Sequence, residues 1–193
     1  MKRASVLLGL CLACAGAASA AIDFSPDTGE RLLDGIKFPQ LIFHEGGRAI
    51  TYEHPRGWSY SGGGPSIKFL PPGIAQAEGE IQQAPLAAPQ ALDEPTLKAL
   101  QQQTLALVPP GSLNVALLSE EKNPILVNGN ETYEATFRYT FYGQEFQVSA
   151  LFINLPHIQL RMRTTAKKED FQKVHNAFRA SALSFQGLKP GGT

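Results

Sequence analysis

The chain has 193 residues, which is enough for one domain with short extensions. Hydrophobic residues make up 43% of the chain and charged residues 18%, a globular composition that excludes a disordered protein. The 17 basic residues balance 17 acidic residues, so the chain lacks the positive excess of general nucleic-acid-binding proteins. We therefore expect no nucleic acid among its partners.

The first twenty residues have the three-part pattern of a secretory signal peptide. Lys2 and Arg3 precede an uncharged, mostly apolar run over residues 4–15, and residues 18–20 supply the small side chains of a cleavage site. The apolar run is shorter than the ~20 residues that a membrane-spanning helix needs. The pattern predicts residues 1–20 as a signal peptide, and an exported mature chain without a transmembrane segment.

Removal of this segment changes both the charge and the cysteine content. Two of the 17 basic residues and none of the 17 acidic residues lie in it, so the mature chain is slightly acidic. Both cysteines, Cys11 and Cys14, are also removed, which leaves no disulfide or thiolate ligand. Residues 12–14 resemble a bacterial lipoprotein box, although Cys11 stands where that pattern has an aliphatic residue. Lipidation at Cys14 is the alternative to free release into the periplasm or the medium.

Residues 21–47 are expected to form an N-terminal arm and a first strand. Pro26 and Gly29 interrupt the arm, which allows at most one helical turn, and residues 41–43 predict a short strand. The next strand contains Ile50 and Tyr52.

Further along, the chain alternates between short apolar runs and Pro- or Gly-rich breaks. The predicted features are a turn at 54–58, a flexible glycine loop at 61–65, strands at 66–70 and 77–84, and a linker at 85–92. Asp93 is a helix cap, and the helix after it buries a stripe of Leu97, Leu100, Thr104 and Leu107. Short strands are expected at 114–118 and 125–127.

The last third of the chain predicts an antiparallel meander. Residues 133–141 and 144–154 alternate apolar and polar side chains around a two-residue turn, which pairs Phe141 with Gln144. A three-residue turn then pairs Asn154 with Ile158 and sets Leu160 opposite Phe152 and Met162 opposite Ala150. The central strand is apolar on both faces, so it requires layers on both sides of the sheet.

This register predicts which polar residues share a face. Glu134, Leu151 and Arg161 would form one row across the meander, and Arg138, Arg161 and Arg163 would all project from that same face. A helix over 168–183 follows, with an apolar stripe of Phe171, Val174, Phe178 and Ala182. Residues 186–193 are expected to be a flexible tail.

Several of these features, in this order, resemble the PsbP/DcrB-like superfamily over residues 48–185. The features are residues 50–58 (ITYEHPRGW), the strand Ile67-Lys68-Phe69, the strand 77–84 before a helix, the meander, and a terminal helix with Asp170-Phe171 and Phe178 that closes in Leu183-Ser184-Phe185. The resemblance implies an α+β fold with a central antiparallel sheet sandwiched between helices (α/β/α). Because the superfamily's members are mostly non-catalytic accessory or binding proteins, it implies a role of that kind and carries over no site residue.

The sequence contains no recognisable catalytic, metal or nucleotide motif. His44, His54, His157 and His175 lie far apart, and no G-x-S-x-G elbow or Walker pattern is present. His175 lies at the edge of the helix stripe and is expected to be a packed residue. We expect no cofactor and no metal site.

Two groups of residues are candidates for binding. Trp58 and Tyr60 flank the glycine loop, where the indole is either a surface anchor or a core residue. Arg138, Arg161 and Arg163 either meet an anionic partner or lie on a solvated or helix-covered face near Glu134.

The sequence therefore predicts an exported, non-enzymatic accessory protein that binds a protein or small ligand in the cell envelope. One alternative is an exported hydrolase whose site is assembled from distant residues, with a histidine beside a serine or a carboxylate. Another is a small-ligand carrier with an apolar cavity between the sheet and one helix. Its oligomeric state is not fixed by any feature of the sequence.

Overall fold

A computed structural model describes residues 21–188. The predicted signal peptide and Cys14 lie outside the described residues, as does the tail beyond residue 188. The strands are β1 Ile22–Leu33, β2 Ile36–Glu45, β3 Arg48–Tyr52, β4 Ser59–Gly63, β5 Ser66–Leu70, β6 Glu78–Pro85, β7 Leu113–Lys122, β8 Thr132–Phe141, β9 Gln144–Asn154 and β10 Ile158–Lys167. The helices are α1 Glu94–Leu105 and α2 Lys168–Ser181, and a 3-10 turn, Ala182–Ser184, follows α2.

The strands form two antiparallel sheets. The larger sheet has seven strands in the order β4-β5-β6-β10-β9-β8-β7, and the smaller one has the order β1-β2-β3. The predicted antiparallel sheet is confirmed. The expected enclosure of the sheet by helices is not confirmed, because α1 and α2 are short and the smaller sheet contributes much of the core on the α2 side.

The N-terminal segment is a long hairpin, and the predicted arm with a helical turn is wrong. β1 pairs with β2 almost throughout, and an irregularity between Asp23 and Asp27 accommodates Pro26 and hides the strand alternation. Asp34 and Gly35 both have positive φ, as a two-residue hairpin turn requires.

Two other predictions of local structure, the flexible glycine loop and the strand at 125–127, are also wrong. The glycine loop at 61–65 is mostly strand, because β4 continues through Gly63 and pairs with β5. The short strand expected at 114–118 extends over residues 113–122, and residues 125–127 form no strand beyond a single bridge from Val127. At the other end of the described chain, Gln186 bridges to Thr51 and Leu188 is buried.

The meander is confirmed, with one shift of register. Phe141 pairs with Gln144 and Tyr133 with Phe152, as predicted. The second hairpin instead pairs Gln159 with Asn154, so its connection is one residue longer than predicted. That shift reverses the faces of every β10 side chain.

The consequence is two cores, one on each face of β9. Leu151 and Ile153 join the larger core with Leu160 and Met162 from β10, beneath α2. The other β9 face joins the smaller core beneath α1, which contains Tyr133, Ala135, Phe137, Tyr139, Phe146, Val148, Ala150 and Phe152. The two-sided burial of the central strand is therefore confirmed.

Both helices pack as their sequences predict. The Asp93 carboxylate accepts a hydrogen bond from the Thr96 backbone N–H at 3.0 Å, and Leu100 enters the smaller core. The predicted α2 stripe is fully buried in the larger core, and its members are Phe171, Val174, Phe178 and Ala182.

Gly79 in β6 tests how tightly α2 packs on the sheet. A Cβ atom there would lie 2.8–2.9 Å from three ring atoms of Phe178, which is itself held between Trp58 and Phe69. We expect Gly79→Ala to lower the free energy of unfolding by about 1–3 kcal/mol, measured by urea denaturation. The loss should shrink in a Phe178→Leu background, and an equal loss there would contradict the packing explanation.

Candidate functional site

Trp58 lies in the core, where the packing interpretation places it. Its side chain is 8% exposed, and its ring stacks on Phe178 with centroids 5.9 Å apart and planes 4° from parallel. Tyr60 is partly buried against the same core and meets the edge of the His54 ring at 5.3 Å. Burial lowers the pKa of His54, against the opposing effect of a hydrogen bond with the Trp58 backbone. This aromatic group is therefore packed together, and Trp58 is not displayed as a surface anchor.

The three arginines do not share a face, and that prediction is wrong. Because the β9–β10 register is shifted by one residue, Arg161 pairs with Phe152 and Arg163 with Ala150, on the α1 side. Arg138 is exposed on the opposite side, where it lines a small polar pocket with Glu145. The predicted row through Glu134 and Arg161 is also wrong, since Met162 occupies the expected position of Arg161.

Alternate residues of β5, β6 and β10 form a polar face on the α1 side of the larger sheet. We define this polar face as Lys68, Glu78, Glu80, Gln82, Gln159, Arg161 and Arg163, which the pairings of β6 with β5 and β10 place side by side. Each strand presents these side chains at every second position, so they form cross-strand rows of charged and amide groups. Two of the predicted binding residues lie here.

Arg163 is paired with two carboxylates. It lies directly opposite Glu80 and forms ion pairs with Glu80, at 2.7 Å, and with Glu78. Lys68 approaches Glu78 from β5 at 3.8 Å. Three strands are thus connected by charge pairs in which Glu80 is only 5% exposed.

Arg161 has a different environment two residues away. It lies opposite Gln82 and donates a hydrogen bond to the Gln82 side-chain oxygen, and no carboxylate within the described residues pairs with it. Burial lowers the pKa of Arg161, the positive charge of Arg163 adds to this, and Glu80 opposes it. A cavity of about 90 Å³ adjoins the guanidinium, and its other lining residues are Gln82, Gln83, Ala84, Gln103 and Gln159.

A second polar site lies on the opposite face, in a cleft of about 400 Å³ between α2 and β7–β8. Glu134 forms its floor and accepts hydrogen bonds from His175 Nε2 at 2.7 Å, Ser149 Oγ at 3.0 Å and Arg179 Nη1 at 3.1 Å. His175 is only 7% exposed and stacks on Phe171, as expected for a packed histidine. Sequence analysis missed this network, whose signal was an acidic residue, Glu134, within a strand that is otherwise mostly buried.

The electrostatics of the cleft favour a charged Glu134. Burial raises the pKa of Glu134, but the hydrogen bond and charge of His175, with Arg179 and Ser149, outweigh burial and lower it overall. Ser149 is 1% exposed, and its single hydroxyl proton lies within hydrogen-bond distance of the Glu134 carboxylate and the Ala135 carbonyl, with no hydrogen bond to His175 among the described residues. The group anchors α2 to the sheet and lacks the serine–histidine pairing of a nucleophilic triad.

Two further features of the described chain bear on possible partners. Over residues 21–188, no group of three or more His, Cys, Asp and Glu side chains is arranged to hold a metal ion. Within the same range, no helix has the length and apolar character needed to cross a bilayer.

Comparisons with known proteins reveal similarity in structure only. No protein-family model matches the chain, and no curated protein sequence matches it. The chain is similar to the solution structure of cyanobacterial PsbP from Synechocystis sp. PCC 6803, with 13% identity, a TM-score of 0.50, and coverage of 90% of this chain and 96% of that one. This similarity confirms the predicted PsbP-like fold.

Two other solved structures align less closely. A protein of unknown function from Pseudomonas aeruginosa is 14% identical over 86% of this chain and 99% of that one, with a TM-score of 0.45. LpqN from Mycobacterium tuberculosis, described as involved in cell envelope biogenesis, is 8% identical over 84% of this chain and 83% of that one, with a TM-score of 0.36. At these identities the likeness concerns the fold alone.

The Glu134 network makes stability depend on pH with a defined sign. Because the pKa of Glu134 in the folded protein lies below its ordinary value of 4.5, the network stabilises the fold above that value and loses this effect as pH falls through the folded pKa. Glu134→Gln should lower the free energy of unfolding at pH 7 by about 2 kcal/mol. The difference from wild type should shrink below about pH 4, measured by urea denaturation at several pH values.

Glu121 offers the control for this measurement, because it pairs directly opposite Glu134 on β7 and is exposed. Glu121→Gln removes one of two like charges and should leave stability unchanged or slightly higher. The proposed role of the charged Glu134 carboxylate would be contradicted if Glu134→Gln lowered the free energy of unfolding equally at every pH. It would also be contradicted if Glu121→Gln lowered it as much as Glu134→Gln does.

Proposed function

We propose that the protein is an exported, non-enzymatic accessory or binding protein of the cell envelope, and that its partner binds at the polar face around Arg161. The observation that carries this proposal is the contrast between the two arginines of β10. Arg163 is neutralised by two glutamates, whereas Arg161 is half-buried beside a cavity with no carboxylate partner among the described residues. A buried charge without a counter-ion is costly, and an anionic partner would compensate it.

Export is supported by the sequence of residues 1–20, which have the basic, apolar and small-residue order of a signal peptide. The proposal includes the α/β/α class implied by the resemblance, with α1 and α2 as its helical layers and the β1–β3 sheet as an addition. A PsbP-like fold is compatible with such a role but does not specify it.

The geometry gives less support to the two alternatives. A hydrolase is favoured by the histidine beside a carboxylate in the cleft, but Glu134 is fully engaged in hydrogen bonds and Ser149 is buried facing it. A small-ligand carrier requires an apolar interior. The cavity of about 430 Å³ between α1 and β7–β8 has a mostly apolar lining surface, which favours a carrier, but it is an open cleft bordered by Glu94, Lys98 and Gln101 rather than an enclosed interior.

Export can be tested by expressing the full chain in a bacterial host and measuring the intact mass of the purified product. We expect cleavage after Ala20, a mature chain that begins at Ala21, and recovery in the soluble periplasmic fraction. Ala20→Tyr should block cleavage and leave the precursor at the membrane. A product that begins at a lipidated Cys14, and disappears in Cys14→Ala, would replace free release with anchoring.

Binding at the polar face can be tested by cross-linking the purified protein in envelope extracts and identifying its partners by mass spectrometry. We expect one partner to be enriched by wild type and reduced at least about tenfold by Arg161→Glu, which reverses the free charge. Arg138→Glu is the matched control, because Arg138 is exposed on the opposite face. The absence of a specific partner, or an equal loss with Arg138→Glu, would contradict the proposal.

A further inference from the structure

The polar face contains one position at which an acidic side chain is expected and an amide is found. Along β6, Glu78, Glu80 and Gln82 project from the same face, and Glu80 and Gln82 lie directly opposite Arg163 and Arg161 of β10. A glutamate at position 82 would pair with Arg161 as Glu80 pairs with Arg163. The amide instead provides a single neutral oxygen, so within the described residues the guanidinium has one hydrogen-bond acceptor and forms no ion pair.

The surroundings of Arg161 supply donors and space, and the nearby negative charge of Glu80 is already paired with Arg163. The adjoining cavity of about 90 Å³ is bordered by Gln103 from α1 and Gln159 from β10, and no acidic residue lines it. The Gln159 side-chain amide is fixed by donating to Asn154 Oδ1 at 2.8 Å, and Gln103 is exposed at the entrance. This volume suits one small planar group next to the guanidinium.

We propose that the cavity beside Arg161 is a binding site for a single carboxylate group, held by the guanidinium and assisted by the Gln103 amide. The inference rests on the proposed binding role of the polar face and specifies the chemistry that it recognises. A carboxylate presents two coplanar oxygens to the planar guanidinium fork and carries one negative charge, which balances the one unpaired cation. A phosphate dianion would bring excess negative charge close to Glu80.

Two sources can provide such a group: a free small carboxylic acid, or the carboxylate of a partner protein's side chain or C-terminus. The shared chemistry is tested first, by following Arg161 Nε–Hε and the side-chain amides in ¹H–¹⁵N NMR spectra of the mature protein. Sodium acetate should cause saturable shifts with a dissociation constant on the order of millimolar. Sodium chloride and sodium phosphate at equal ionic strength should not reproduce these shifts.

Three variants separate recognition of the carboxylate from a general effect of charge. Arg161→Lys keeps the charge but removes the fork, and should weaken acetate binding about tenfold. Gln82→Glu places a carboxylate of the same size opposite Arg161, so it should abolish acetate binding, although it also removes the hydrogen bond that the Gln82 amide donates to Glu80. Arg138→Gln, on the opposite face, should bind acetate like wild type.

A comparison of peptides then identifies the source of the carboxylate. Tighter binding of a peptide with a free C-terminus than of its amidated form supports a protein partner, whereas acetate alone binding well supports a small acid. The inference is overturned if acetate shifts the spectra no more than chloride does, or if Gln82→Glu binds acetate like wild type. If acetate binds but no partner is cross-linked, the proposed accessory role is contradicted and the carboxylate site is not. If a partner binds through Arg161 but acetate does not displace it, the carboxylate site is contradicted and the accessory role is not.

Discussion

The register between β9 and β10 is the constraint on which the rest of the structure depends. Pairing of Gln159 with Asn154 turns Leu160 and Met162 towards α2 and turns Arg161 and Arg163 towards the opposite face. A shift by one residue would bury the two guanidinium groups beneath α2 and expose the aliphatic side chains. The cost of that exchange is large on both sides, because each buried aliphatic side chain contributes about 1.5–3 kcal/mol and each unpaired buried charge is strongly unfavourable.

Given this register, a different charged network on each face of the larger sheet holds neighbouring elements together. On the α2 side, Glu134 joins β8 to the helix through His175 and Arg179, which holds the helix against the sheet by charge-assisted hydrogen bonds. On the α1 side, Glu80 and Arg163 join β6 to β10. In the first network both carboxylate oxygens of Glu134 accept hydrogen bonds from residues that hold the fold together. The second network leaves Arg161 without a carboxylate partner among the described residues, which is why the proposed binding site lies on that face.

The sequence was sufficient wherever the pattern was local. The Asp93 cap, the α2 stripe and the pairing of Tyr133 with Phe152 all follow from spacing within one helix or one hairpin. It failed where one extra residue changed the outcome. The connection after Asn154 has no glycine to reveal its length, and both possible registers keep β10 alternating. The sequence pattern does not reveal strand β1, because Pro26 and an irregular pairing interrupt its alternation of inward and outward side chains. In the fold, regular pairing with β2 resumes at Asp27.

The candidate sites were harder to predict than the fold because they depend on which residue lies across from which. Glu134 and His175 are 41 positions apart, and only the packing of α2 on β8 brings them together. Arg161 and Arg163 are chemically identical residues in the sequence. The difference between them comes from their hydrogen-bond partners on β6, which lie 79 and 85 positions earlier in the chain. Two carboxylates meet one arginine and an amide meets the other. The difference in charge pairing between Arg161 and Arg163 is thus a property of strand pairing in the folded sheet, which is why the sequence alone could not single out Arg161 as the proposed binding residue.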